Sequence, residues 1–135
     1  MLKVKKLHPD AKVIYKEGND FLNICALNDV LLPIHKGNEE MLEFAHLPIN
    51  TMKKIDIGIE FIIPSTYKVF LEIDSNLGSK GVRAFYFFKD HVLSLYLQNL
   101  GKDELVIKKG DNVVSLYLLK IEKLIIKIEE IKNEK

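Results

Sequence analysis

The chain has 135 residues, 47% of them hydrophobic and 29% charged, with a formal net charge of +1; these proportions suit one compact domain, spanning 1–135, with a real core. So small a charge supplies no global field for bulk nucleic acid, although twenty Lys and Arg against nineteen Asp and Glu leave room for local patches. The single cysteine, Cys25, excludes an intramolecular disulfide, and between Ile24 and Ala26 it reads as a buried small hydrophobe rather than a nucleophile.

Residues 1–7 alternate charge with apolar side chains and lack the apolar run of a signal peptide. No apolar run approaches the roughly 20 residues that span a bilayer, so the expected setting is reducing and cytoplasmic, with no membrane partner. Short strands at 4–7 and 11–15 bracket His8-Pro9-Asp10, where Pro9 keeps His8 extended. A polar loop at 16–20 leads to an apolar strand at 21–26. Pro33, in Leu31-Leu32-Pro33-Ile34, assigns that segment to a sheet edge or strand end. Residues 35–45 leave a loop, a short helix and a connecting arm all open.

From 54 to 63 the chain alternates, with Ile55, Ile57, Ile59 and Phe61 on one face of an expected half-buried strand. A turn at 64–67 leads to a strand at 67–73, with Val69, Leu71 and Ile73 facing one way and Lys68, Phe70 and Glu72 the other. Next comes Asp74-Ser75-Asn76-Leu77-Gly78-Ser79-Lys80-Gly81, a turn of small and polar residues of the kind that offers backbone N–H groups to an anion. Its first residue is the anomaly, because a carboxylate beside a phosphate is repulsive.

Aromatic and branched residues predict strands at 84–88 and 92–97. A loop at 99–103, a short strand at 105–107, a tight turn at 109–112 and a core strand at 113–119 follow. Many short strands at close spacing imply an all-β sandwich or barrel. In the C-terminal segment, 121–135, Ile121, Leu124, Ile125, Ile128 and Ile131 fall at helical spacing. The β-branched residues there fit an extended arm to a neighbouring subunit equally well, so arm and amphipathic helix both stay open.

Metal and triad chemistry find little support. His8, His35, His46 and His91 lack the short paired spacing of a zinc site. Ser75, Asp74 and the distant His91 form no recognisable triad, since Ser-Asp neighbours are common on turns.

The order of these signals resembles the trimeric deoxyuridine triphosphatases (dUTPases) and the related deoxycytidine triphosphate deaminases, over residues 3–131. Ile57-Gly58-Ile59 leading to Pro64-Ser65-Thr66-Tyr67, the 75–81 turn, Asn99-Leu100-Gly101 and Lys109-Gly110-Asp111 before an apolar strand carry it, with Gly18-Asn19-Asp20-Phe21-Leu22 as a first motif. The resemblance implies a jelly-roll β barrel, a homotrimer and nucleotide sites at subunit boundaries. Fold alone does not imply activity.

Four functional motifs depart from the family. Its arginine-serine-glycine phosphate turn aligns with Asp74, Ser75 and Asn76, which removes a charge-assisted bond worth about 1.5–3 kcal/mol and adds a like charge. The pyrimidine-reading hairpin is several residues short: Tyr86 aligns near the family's catalytic aspartate, and Lys89 at its sugar-stacking tyrosine. The family glutamine after the Lys-Gly-Asp turn aligns with Ser115, and the glycine-rich tail is replaced by Glu129-Glu130-Ile131-Lys132-Asn133-Glu134-Lys135.

The expectation is therefore a catalytically degenerate protein of this fold, with no catalytic residue, metal or cofactor. It would hold a nucleotide or cyclic oligonucleotide through Ser75, Asn76, Ser79, Lys80 and Arg83, with Tyr86 stacking on the base. A viral or phage protein that sequesters a nucleotide signal would fit. The alternatives are a divergent triphosphate pyrophosphatase using Asp90 or Asp74 with Mg²⁺, and a pure protein-interaction module.

Overall fold

A computed structural model of the chain describes residues 2–34, 52–121 and 126–131. The undecided segment at 35–45, with His35, and also His46, lies outside the described residues. The described elements are β1 (Lys3–Lys6), β2 (Val13–Ile14), β3 (Phe21–Cys25), β4 (Val30–Leu32), β5 (Met52–Ile55), β6 (Ile59–Ile62), β7 (Tyr67–Ile73), a short helix α1 (Ser75–Ser79), β8 (Val82–Lys89), β9 (Val92–Asn99), β10 (Leu105–Ile107) and β11 (Asn112–Lys120). The architecture is all-β and matches the expected jelly roll.

One antiparallel sheet is built around β9, which pairs with β8 along its whole length and on its other side with β5 and, at one position, β6; β1 pairs with β6. A second sheet runs β2-β3-β11-β7, and β4 pairs with β10. Leu93, Leu95, Leu97, Ile55, Ile59 and Phe61 of the first sheet share one buried core with Leu22, Ile24, Leu71, Val114 and Leu116 of the second. Strand alternation accounts for this, since residues two apart share a face. On β7, Val69, Leu71 and Ile73 turn inward and Lys68, Phe70 and Glu72 outward, as the sequence pattern requires. Outside the second sheet, Phe21, Tyr117 and Phe70 form a ring ladder across β3, β11 and β7, with centroids 5.2 and 4.9 Å apart.

Two expected elements are corrected. The expected strand at 11–15 contracts to two residues, β2. The expected single strand over 54–63 is broken at 56–58: Ile55 pairs with Leu95 and Glu60 with Val92, so the four residues 56–59 oppose the two residues 93–94 and the surplus bulges out. Gly58 has φ +66° and sits where a Cβ would lie 3.2 Å from His8 Cβ and Leu27 Cδ2. The carbonyls released from the ladder are reused, Asp56 O accepting from Leu27 N at 2.9 Å and Gly58 O from Leu7 N at 2.8 Å. Alternation could not reveal the break, because Ile55, Ile57, Ile59 and Phe61 are all buried regardless.

Beyond β11, residues 126–131 form neither helix nor strand, and Ile126, Ile128 and Ile131 are 69%, 84% and 94% exposed. Helical spacing did not produce a helix in this stretch, because an apolar stripe forms a stable helix chiefly by packing against something. Among the described residues no helix is long and apolar enough to cross a membrane.

Candidate functional site

The chain leaves β7 at Ile73 and enters α1 rather than an open turn. Asp74 is the N-cap: its Oδ2 accepts hydrogen bonds from the amides of Asn76 and Leu77 at 3.2 and 3.3 Å. An aspartate is among the residues best suited to that position because its oxygen satisfies N–H groups that have no partner within the helix. Asp74, read from sequence as unfavourable beside a phosphate, thus has a structural role that the sequence reading did not assign. Its carboxylate is the anion that these two amides hold.

Three further amides of the segment are also committed. Gly78 N donates to Asp74 O at 2.8 Å, Lys80 N to Leu77 O at 3.1 Å and Gly81 N to Gly78 O at 3.1 Å, while Ser79 Oγ donates to Asn76 O at 2.7 Å. The expected cradle of backbone donors is therefore closed on itself over Asn76, Leu77, Gly78, Lys80 and Gly81.

Two cavities flank α1. One, of about 340 Å³, is lined by Asp74, Asn76, Leu77 and Lys80 together with residues 105–107, Asp111 and Asn112. The other, of about 650 Å³, is lined by Ser79, Lys80 and Gly81 against Leu100, Gly101, Lys102, Asp103 and Leu105. Lys80 lines both. The first cavity carries two carboxylates, Asp74 and Asp111, to one cation.

The surrounding turns follow from sequence. Gly110, at φ +89°, takes the third position of the turn in which Asp111 N donates to Lys108 O at 2.9 Å, a site that favours glycine. Asp111 Oδ2 closes that turn on Lys108 N at 2.9 Å, and Asn112 Oδ1 accepts the Cys25 thiol at 3.3 Å. Burial pushes the Cys25 thiol above its ordinary pKa and keeps it a poor nucleophile, as the sequence suggested. Asp111 and Asn112 were not among the expected site residues. The Lys-Gly-Asp turn was the signal that could have found them.

Asn99 is fully buried and organises the opposite wall. Its Nδ2 donates to Leu32 O at 3.2 Å and Asp103 O at 2.8 Å, and its Oδ1 accepts from Gly101 N at 2.9 Å. Leu100 N then donates to Gly81 O at 3.0 Å, bringing Gly101 so close that a Cβ there would overlap the Lys80 carbonyl oxygen. Glycine is required by contact, and the Asn-Leu-Gly motif is a device for seating this loop against α1.

The remaining expected residues divide. Ser75 is exposed on α1. Arg83 and Tyr86 lie on β8 and point to opposite faces, being three residues apart on a strand. Tyr86 does not stand ready to stack on a base: its hydroxyl accepts the Leu71 amide of β7 at 3.1 Å, and its ring packs edge-on against Phe88. Asp90, offered as a relocated base, is at the wrong end of the molecule. It forms with His91 the two-residue turn between β8 and β9, both at positive φ, roughly 20 Å or more from α1 by the rise of a strand. Ser115, at the family glutamine position, donates to Asn23 Oδ1 at 2.7 Å.

No protein-family model matches the chain, and no curated protein sequence matches it. Solved structures do. A point mutant of the dUTPase from phage phi11 of S. aureus, whose description reports coordination of a structural Mg(II) ion, superposes with a TM-score of 0.69 at 16% identity, covering 98% of this chain and 99% of that one. The dUTPase of EIAV gives 0.67 at 12% identity over 96% and 97% of the two chains. A mutant dUTPase of Staphylococcus bacteriophage 80alpha, solved with dUpNHpp, gives 0.63 at 17% identity over 100% and 92%. Agreement over nearly the whole of each chain at such low identity makes this a divergent protein of the dUTPase fold.

Proposed function

We propose that the protein is a noncatalytic member of this fold that binds a nucleotide or cyclic oligonucleotide, favouring ligands with no more than one charge on each phosphate. The supporting observation is the closure of the α1 amides on Asp74. With the amides of Asn76, Leu77, Gly78, Lys80 and Gly81 taken and Asp111 on the same cavity as Asp74, a triphosphate meets repulsion where its charge is densest. A phosphodiester, with one charge per phosphate, needs a single cation, and Lys80 supplies it. Asn76 and Ser79 offer polar contacts, and Arg83 follows the segment at the start of β8. As in the resemblance that introduced it, the protein acts as a homotrimer in the cytoplasm with its ligand at subunit boundaries. Sequestration of a nucleotide signal during viral or phage infection suits such a scaffold.

The test is a thermal-shift and mass screen against linear and cyclic nucleotides. A ligand that binds the folded form at a hundredfold excess over its Kd adds about 2.7 kcal/mol of stability. The expected result is a shift with a cyclic ligand, no change in ligand mass, and loss of the shift in Lys80→Ala. Pyrophosphate release from any deoxynucleoside triphosphate, lost in Asp74→Asn or Asp90→Asn or retained in both, would overturn the reading in favour of an enzyme. No shift across the panel would leave an interaction module.

A further inference from the structure

The outer face of the β9 sheet carries features that the α1 cavities do not use. Strand register puts Arg83, Phe85, Phe87 and Lys89 of β8 on one face with Val92, Ser94 and Tyr96 of β9. Lys54 of β5 joins them opposite Tyr96, and Glu60 and Lys5 continue the row from Val92. Phe85 and Phe87 are 44% and 53% exposed, far more than packing residues would be. Phe87 and Tyr96 hold each other nearly parallel, at 21° with centroids 6.3 Å apart.

Charge on this face is lopsided. Among the described residues Arg83, Lys89, Lys54, Lys5 and Lys3 stand against two carboxylates, Glu60 and, in the break after β5, the exposed Asp56, in a chain whose total charge is only +1. The break between β5 and β6 also opens a cavity of about 340 Å³ whose lining includes Lys54, Val92 and Ser94 of the same face together with Asp56 and His8. An antiparallel sheet with aromatic rings on adjacent strands, a recess beside them and cations around them is the chemistry of base stacking combined with phosphate neutralisation. We infer that this face binds a short stretch of single-stranded nucleic acid, with Phe85, Phe87 and Tyr96 as stacking rings and Arg83, Lys89 and Lys54 as phosphate partners.

Other occupants fit less well. A second copy laid face to face would set five cations against five, a repulsion that disfavours a two-fold pairing through this face. A duplex hides its base faces and cannot use the rings. None of these three aromatics lines either cavity beside α1, so although Arg83 is common to both readings, the stacking on Phe85 and Phe87 can fail independently of the proposed nucleotide site.

Fluorescence anisotropy with labelled oligothymidylate and oligouridylate tests it, the two arms separating DNA from RNA as the source of the strand. At about 50 mM salt either strand should bind, and affinity should fall steeply by about 200 mM, because phosphate contacts release counterions. Phe87→Ala and Phe85→Ala should each weaken binding about five- to a hundredfold, the effect of losing one stacked base, while Phe87→Trp restores it. Lys89→Ala should reduce the salt slope by about 0.7. Both phenylalanines are solvent-exposed, so unchanged melting of the variants verifies folding. Three results would each overturn the inference: no anisotropy change up to roughly 100 µM protein, the weak end of non-specific binding; equal affinity for wild type and Phe87→Ala; or displacement of the strand by polyglutamate as effectively as by unlabelled strand, which would mark an acidic protein as the partner.

Discussion

The Asp74 carboxylate holds the Leu77 amide at 3.3 Å and, through the same oxygen, the Asn76 amide at 3.2 Å. A helix of five residues is too short to persist alone, so this cap and the docking of Leu77 against the core are what keep α1 formed. Asp74→Ala should cost about 1 kcal/mol, a fall in Tm of roughly 3–6 °C for a domain of this size, and Asp74→Ser should recover most of it. An unchanged Tm for Asp74→Ala would show that the cap is not stabilising.

The Tyr86 hydroxyl ties β8 to β7 by accepting the Leu71 amide. β7 is the outer strand of its sheet, and an edge amide without a partner is a liability that this bond removes. Tyr86→Phe should therefore lower stability by about 0.5–1.5 kcal/mol and speed hydrogen exchange at Leu71 more than at Leu116 in the strand next to it. Equal exchange at Leu71 in the two proteins would argue against the tie.

Gly101→Ala sets a methyl group against the Lys80 carbonyl. Backbone on both sides resists, so the loop at 99–103 must move away from α1. Urea unfolding should show a loss of about 1–3 kcal/mol, the usual cost of overpacking, with a lower midpoint at constant slope.

Asp10 and Lys109 meet at 2.7 Å, joining the His8-Pro9-Asp10 turn to the Lys109-Gly110 turn. The hydrogen bond from Lys109, and then its charge, hold the Asp10 carboxyl below its ordinary value of 3.8. A depressed carboxyl contributes stability that is complete above its unfolded pKa and is lost as pH falls through the folded one. Both side chains are about half exposed, so the effect is small and salt-sensitive. Asp10→Asn should melt slightly below wild type at about pH 6 and coincide with it at about pH 2.

Local chemistry was legible in the sequence wherever a residue's role depends on its neighbours in the chain. Period-two alternation fixed the inward face of β7, Pro33 ended β4, and the Lys-Gly-Asp turn preceded the core strand β11. The motif order pointed to the dUTPase fold before any coordinates. The break at 56–58 was hidden because the residues on both sides of it are equally buried, and the excess length is visible only against β9.

The altered turn that begins at Asp74 shows the same division. Its sequence established that a carboxylate stands where the resembling family has a cation, and elementary electrostatics made that unfavourable for a phosphate. Only the tertiary structure decided what the carboxylate does instead, because a cap depends on the dihedral angles of three successive residues, which the packing of α1 between β7 and the 99–103 loop determines. Likewise, composition showed that a local cationic patch was possible in a nearly neutral chain. Strand register, set by pairings between residues far apart in sequence, decided that the cations and the exposed aromatics share one face.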